Sequence, residues 1–267
     1  MPYQTLCLSI DAQVATLSLN RPDVHNAFDA TMIQELRLVL AELAHNSEVR
    51  MLVLRGKGRS FSAGADLQWM QAMVDYDYQK NLADAKELAD LLSDLYHFKK
   101  PTIALVEGPA YGGALGLISC CDMAIATEKA RFCLSETRLG LIPAVISPYV
   151  INAIGERAAR RYYLTAEAFD AAEAYRIGLI HAHTTEVALP SLIAEWIARV
   201  RQNSPLALCA AKELISATSR GHLNKAMIED TAHRIASIRV SAEGQEGLRA
   251  FLEKRPPQWQ AVPPAQE

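Results

Sequence analysis

The chain has 267 residues, of which 50% are hydrophobic and 21% charged, and its formal net charge is −3. These values are typical of a globular protein with one large domain, or one domain plus a helical extension. Because no basic stripe stands out, we expect no nucleic-acid partner. No apolar run is long enough to span a bilayer, so we expect no membrane association, and no secretory signal is visible at the start.

Five cysteines occur, an odd number without the spacing of a disulfide framework. Cys120 and Cys121 are adjacent in an apolar run, where buried free thiols are the simple interpretation. Free thiols suit a reducing compartment, so we expect a cytoplasmic location.

Short strands and helices alternate in the first part of the chain. Residues 6–10 and 14–19 predict a hairpin, and a proline-marked turn follows. Residues 28–43 carry apolar side chains at helical spacing, which predicts an amphipathic helix capped by Asp29 or Thr31. Residues 49–54 predict the next strand.

A second cycle repeats this order of strand, strand and helix. Residues 102–106 predict a strand, 113–121 a buried helix and 123–126 another strand, and a degenerate third cycle ends at 178–181. From about Leu189 the pattern is helical. We therefore expect an α/β core over residues 1–190 and a helical region over 191–267, with a frayed tail at 262–265.

Two turns of small residues are the most informative feature. Residues 61–67 read Phe-Ser-Ala-Gly-Ala-Asp-Leu and residues 107–116 read Glu-Gly-Pro-Ala-Tyr-Gly-Gly-Ala-Leu-Gly, and each precedes a helix-like run. Such turns leave backbone N–H groups without intrahelical partners, at the positive end of a helix dipole. Placed face to face, the two turns would hold an oxygen that becomes negative during a reaction.

Glu136 is the candidate acid or base, because it lies in a largely apolar segment where a carboxylate is costly to bury. Burial would raise its pKa towards neutrality, as a general acid or base requires. The alternative is that Ser135 and Glu136 only open a short helical turn. Asp66, at the start of a predicted helix over 67–73, is better explained as a helix cap.

Other chemistry finds little support in the sequence. His181 and His183 could face the same way on a strand, but no further ligands can be nominated, so we expect no metal. The phosphate-binding loop, the dinucleotide fingerprint, the nucleophile elbow and the Cys-x-x-Cys pair do not occur. The residue pattern alone therefore indicates an α/β enzyme with an oxyanion hole and one candidate acid or base.

With these motifs in order, the chain closely resembles the crotonase (enoyl-CoA hydratase/isomerase) family over essentially its whole length. The matching segments are 20–22, 26–28, 61–67, 111–114, 121–126, 136–143 and 251–255. The resemblance implies a ClpP-like spiral of strand-strand-helix units, followed by a C-terminal helical region that forms homotrimers or homohexamers and covers the site.

The resemblance also implies an acyl-CoA thioester substrate whose carbonyl is held by the N–H groups of Ala65 and Gly113, with Glu136 as the acid or base. Coenzyme A is part of the substrate, and no separate cofactor is expected. The implied coenzyme A contacts are backbone around Val24, Ala27, Ala63, Asp66, Leu67 and Gly112, with Lys254 reaching the phosphates.

One departure from the family pattern bears on the chemistry. Hydratases of the family usually place two glutamates around the alkene, and the first of them falls at Gly116 here. A single carboxylate is also the arrangement of Δ3,Δ2-enoyl-CoA isomerases in the family. An inert crotonase-fold binding protein is a third alternative, against which the presence of Glu136 argues.

The sequence over residues 110–117, 132–136 and 141–148 is similar to that of hydratases of 3-methylglutaconyl-CoA or isohexenylglutaconyl-CoA, which act in leucine and acyclic terpene catabolism. We therefore expect such a hydratase, with water oriented by the substrate's distal carboxylate or by a nearby group other than a carboxylate. The apolar residues after the first turn would suit a long acyl tail, or they could pack the core. They are Trp69, Met70, Met73, Tyr76 and Tyr78.

Overall fold

A computed structural model describes residues 3–219 and 221–260; the predicted frayed tail lies outside them. The strands are β1 (Leu6–Asp11), β2 (Val14–Leu19), β3 (Met51–Gly56), β4 (Thr102–Val106), β5 (Ala110–Tyr111), β6 (Met123–Thr127), β7 (Arg131–Cys133), β8 (Phe169–Asp170) and β9 (Ala182–Thr184). The α-helices are α1 (Ala30–His45), α2 (Leu67–Met73), α3 (Tyr78–Tyr96), α4 (Gly113–Cys120), α5 (Ser147–Thr165), α6 (Ala171–Arg176), α7 (Leu189–Arg201), α8 (Pro205–Thr218), α9 (Lys225–Val240) and α10 (Ala242–Leu252). Short 3-10 turns lie at Pro22–Val24, Glu136–Leu139 and Gln258–Gln260.

The strands described form two sheets. The larger has the order β1-β2-β3-β4-β6-β9 and the smaller the order β5-β7-β8. β1 and β2 form the predicted antiparallel hairpin, and every other pair in the larger sheet is parallel. β5 follows β4 in the chain but belongs to the smaller sheet, and β6 returns to the larger sheet beside β4. The chain therefore alternates between the two sheets as it advances. This arrangement is the predicted spiral of strands and helices.

The core explains why these segments are so apolar. β4 is buried along its whole length, and α4 is buried on nearly all sides. Strands and helices covered on both faces read as continuous hydrophobic runs without an alternating polar face. α4 therefore sits inside the fold, and its first residues are held firmly in place.

Internal packing divides the chain into two compact units. The first comprises Met1–Phe98 with Thr102–Pro190, and the second comprises Lys99–Pro101 with Ser191–Glu267. Within the second unit, Ser204 caps α8 by accepting a hydrogen bond from Ala207 N–H, and its own hydroxyl donates to Glu243 of α10.

Several elements differ from the sequence-based expectation. α3 and α5 were not predicted, because the buried residues of α3 are confined to its second half and α5 is interrupted at Gly155, whose φ is +75°. The degenerate third cycle was expected to end at 178–181, but its last strand, β9, begins at Ala182. α1 begins at Ala30, two residues late, because Phe28 pairs with another segment.

All five cysteines are free thiols, as expected, and Cys120, Cys121 and Cys133 are buried. Of the helices in residues 3–219 and 221–260, none combines the length and apolarity needed to cross a membrane.

Candidate active site

The first turn is built on a short pairing between residues far apart in sequence. Phe28 and Ala65 form a parallel bridge in which Phe28 N–H donates to Gly64 O (2.7 Å) and Asp66 N–H donates to Phe28 O (2.8 Å). Successive N–H groups of an extended segment point to opposite sides. The N–H of Ala65 therefore points away from Phe28, and it donates to no acceptor among the residues described.

The second turn precedes α4. Gly112 has φ +53°, which a glycine adopts without strain, and its N–H donates to Cys133 O at 2.9 Å. Gly113 is the first residue of α4, so its N–H has no intrahelical acceptor. Within the described part of the chain no other group accepts from it.

The two turns lie directly against each other. A Cβ built on Gly64, whose φ is +91°, would stand 3.0 Å from Tyr111 O and 3.9 Å from Gly112 Cα. A second bridge, Ser62 to Ala110, fastens them, with Tyr111 N–H donating to Ser62 O at 2.9 Å. The structure thus brings two turns, each with an unsatisfied N–H, into one place, which is the geometry that an oxyanion hole needs.

Glu136 lies beside the second turn. It opens the 3-10 turn that follows β7, and a Cβ on Gly112 would stand 3.2 Å from Glu136 Oε1. Its Oε2 is buried without a hydrogen-bond partner among the residues described. The alternative interpretation was that Ser135 and Glu136 only open a helical turn. The side chain of Ser135 makes no capping hydrogen bond to this turn.

Burial raises the pKa of Glu136 above its ordinary value, and a hydrogen bond from its own backbone N–H opposes that rise only in part. A carboxylate with a buried, unpartnered oxygen is costly, and groups with shifted pKa values cluster at sites where protons are transferred. Glu136 is thus suited to take up a proton and release it again.

The position beside Gly116 is filled. A Cβ on Gly116 would stand 2.5 Å from Ile146 Cγ2 and 3.3 Å from Leu92 Cδ2, both of them buried side chains. Gly116 therefore lies under an aliphatic side chain, with no room for a larger residue. This contact of Ile146 with Gly116 was not predicted, since one isoleucine among many carries no signal.

Asp66 is a helix cap, as predicted. Its carboxylate accepts from Gln68 N–H (2.8 Å) and Trp69 N–H (3.3 Å), and it pairs with Arg21 at 3.0 Å. Burial works against the charged form, but these hydrogen bonds and Arg21 outweigh it and lower the pKa of Asp66. Its side chain is therefore fully used in holding the first turn and α2.

The other residues expected to touch coenzyme A differ in exposure. Val24, Ala63 and Leu67 are exposed, whereas Ala27 and Gly112 are buried. Lys254 is an exposed residue of the second unit. The exposure of these residues does not decide whether they contact coenzyme A, so those contacts stay predictions.

The apolar residues after the first turn have mixed environments. Trp69 packs on the core, and its ring N–H donates to Asp84 at 3.1 Å. Tyr78 is 74% exposed at the start of α3. Trp69 thus supports the packing alternative, whereas Tyr78 contributes little to the core.

The described residues contain no group of three or more His, Cys, Asp or Glu side chains that could hold a metal ion. His181 and His183 do not act together: His181 lies before β9 and accepts a hydrogen bond from Ala124 N–H through Nδ1 (3.1 Å).

Comparison with solved structures places this architecture among the crotonase folds. The structure is similar to an enoyl-CoA hydratase from Shewanella pealeana, with 50% identity, a TM-score of 0.93 and 96% of each chain covered. Residues 9–262 match the family described as enoyl-CoA hydratase/isomerase. The chain belongs to the enoyl-CoA hydratase/isomerase family, and it is an enzyme of the crotonase type.

Two curated relatives carry more specific names. A putative enoyl-CoA hydratase from Thermus thermophilus is 34% identical over 92% of this chain and 97% of its own length. The 2,3-dehydroadipyl-CoA hydratase of Escherichia coli is 31% identical over 94% of this chain and 97% of its own length.

Proposed function

We propose that this enzyme hydrates a β-branched, glutaconyl-type CoA thioester, 3-methylglutaconyl-CoA or isohexenylglutaconyl-CoA, in leucine or acyclic terpene catabolism. The observation that carries the proposal is the buried Oε2 of Glu136, which has no hydrogen-bond partner among the residues described and lies beside the start of α4. The name of the Escherichia coli relative gives a hydratase acting on a dicarboxylic acyl group, which supports a substrate with a second carboxylate.

In the proposed reaction the N–H groups of Ala65 and Gly113 hold the thioester oxygen. Water forms a C–O bond at Cβ, the alkene electron pair forms a double bond between Cα and the carbonyl carbon, the carbonyl π pair moves to the thioester oxygen, and Glu136 takes the released proton. The enolate then collapses, and Glu136 returns that proton to Cα. Each N–H donor of such a site stabilises the transition state by about 3 kcal/mol.

The remaining parts of the proposal concern binding and assembly. Backbone around Val24, Ala27, Ala63, Asp66, Leu67 and Gly112 would cradle coenzyme A, with Lys254 near its phosphates. We propose a homotrimer or homohexamer in the cytoplasm, with residues 191–267 forming the contacts between subunits and covering the site.

A Δ3,Δ2-enoyl-CoA isomerase is the second candidate function, because the site has one carboxylate and Ile146 fills the space beside Gly116. Isomerisation of a Δ3-enoyl to a Δ2-enoyl thioester needs only one base, which takes a proton from Cα and returns it to Cγ. Mass spectrometry separates the candidates, since hydration adds the mass of water and isomerisation does not. The panel should contain crotonyl, 3-methylglutaconyl and isohexenylglutaconyl thioesters.

Replacing Glu136 with Gln should abolish hydration while acyl-CoA binding stays nearly unchanged, because the amide keeps the shape of the side chain but cannot carry the proton. Turnover and acyl-CoA affinity should be measured for each variant. Glu128→Gln is the matched control, since Glu128 is exposed. Unchanged turnover in Glu136→Gln would remove Glu136 from the mechanism.

A further inference from the structure

Hydration requires a group that orients the attacking water, and Gly116 has no side chain that could do so. Gly112 immediately precedes α4, and Gly116 lies in the first turn of the helix. Glu136 lies over Gly112, and Ile146 lies over Gly116. Ile146 is 2% exposed and apolar, so it offers water no hydrogen-bond partner beside Gly116.

A pair of hydroxyl groups lies on the other side of the segment that follows Glu136. Thr137 Oγ1 donates to Tyr163 O at 2.9 Å, which fastens Tyr163 to the residue next to Glu136. At the far end of the segment, Ser147 Oγ donates to Pro143 O at 2.6 Å. The hydroxyl oxygens of Ser147 and Tyr163 are 3.1 Å apart.

The directions of these hydrogen bonds follow from counting hydrogens. A hydroxyl has one hydrogen and two lone pairs, whereas a carbonyl oxygen only accepts. Since the hydrogen of Ser147 goes to Pro143 O, the phenol of Tyr163 donates its hydrogen to Ser147 Oγ. The lone pairs of Tyr163 Oη then remain available to accept a hydrogen bond.

Tyr163 also lies within the field of Glu136. Burial is the main cause that raises the pKa of Tyr163, and the charge of Glu136 adds to that rise. Tyr163 is thus a half-buried, neutral phenol close to the carboxylate. A neutral phenol can orient water without taking its proton.

We propose that Tyr163 is a catalytic residue whose phenol oxygen, oriented by Ser147, accepts a hydrogen bond from the water that attacks Cβ. The proposal rests on the proposed hydration and names the group that replaces a second carboxylate. One hydrogen of the water bonds to Tyr163 and stays on the new hydroxyl group, while the other passes through Glu136 to Cα. Tyr163 neither gains nor loses a proton over the reaction.

The test compares two reactions of the full-length enzyme. Tyr163→Phe should lower kcat for hydration about tenfold or more, with little change in KM, as expected for losing one hydrogen bond in the transition state. The Cα protons of butyryl-CoA should still exchange in D2O at the wild-type rate, because that exchange needs Glu136 and no attacking water. Glu136→Gln should lose both reactions.

Tyr162→Phe is the matched control, since Tyr162 lies on the same helix and donates to Glu173. It should leave both reactions unchanged. Ser147→Ala should repeat the Tyr163→Phe pattern to a smaller degree, and it carries the test if Tyr163→Phe does not fold.

Two results would overturn the inference while hydration itself stands. One is normal hydration by Tyr163→Phe, and the other is an equal fall in hydration and exchange, which would mean that Tyr163 only holds Glu136. If the wild-type enzyme exchanges butyryl-CoA protons but hydrates no thioester of the panel, the proposed function fails and the role of Tyr163 fails with it.

Discussion

Glu136 is a carboxyl group whose surroundings favour its neutral form. The apolar sequence around it was enough to nominate it, because a lone glutamate in such a segment is unusual. That its Oε2 lacks a partner could not be predicted, since the surroundings of the carboxyl group include distant segments such as the turn at Gly112. The same holds for Tyr163, whose proposed role depends on contacts with Thr137 and Ser147.

The raised pKa of Glu136 predicts a gain in stability when the charge is removed. The folded state binds this proton more tightly than the unfolded state, so the stability it contributes is present below the ordinary value of 4.5 and is lost as pH rises through the folded pKa. Glu136→Gln should therefore melt at a higher temperature than wild type at neutral pH. The difference should vanish in acid.

Thermal melts across that pH range would measure the effect, with Glu128→Gln as the control. A lower melting temperature for Glu136→Gln at neutral pH would contradict the account of Glu136 as a destabilising charge. Activity should show the matching trend, with an acid limb above the ordinary glutamate value, because the carboxylate form is the base.

Among the elements, those with strong local signals were predicted well. The hairpin follows from its alternating apolar residues, α2 from its capping aspartate, and α4 from the small residues before an apolar run. α3 and α5 could not be predicted in the same way, because much of α3 lies at the surface and Gly155 interrupts α5. Their positions depend on packing against α1 and α4, which no local pattern contains.

The cap of α2 gives a prediction at this scale. Asp66→Ala should lower the free energy of unfolding by about 2 kcal/mol, at the upper end for a lost cap, because Arg21 also loses a partner. Asp77 caps α3 through Lys80 N–H, so Asp77→Ala should cost about 1 kcal/mol. Chemical denaturation would measure both, and equal losses would show that the Arg21 pair contributes nothing.

At the scale of the whole molecule, the resemblance anticipated the spiral fold, whereas the residues alone indicated only repeated strands and helices. The meeting of the two turns was a hypothesis from sequence. It depends on bridges between residues 28 and 65 and between 62 and 110, which only the completed sheets bring together. Pattern analysis can nominate each turn, but it cannot establish that they are neighbours.

The proposed assembly is testable by mass. The chain mass is 29.3 kDa, and light scattering after size-exclusion chromatography should give about three or six times that value. Large apolar side chains exposed on the second unit, such as Phe251 at 83%, would be covered in such an assembly. A monomer at micromolar concentration would refute the proposed trimer or hexamer.

The two bridges also determine when catalytic competence arises during folding. Each joins segments that are distant along the chain, and such contacts form only after the intervening chain has lost much of its freedom. A nascent or partly collapsed chain would therefore have separate turns and would lack the proposed oxyanion hole. Activity in this enzyme should therefore appear only after both bridges have formed.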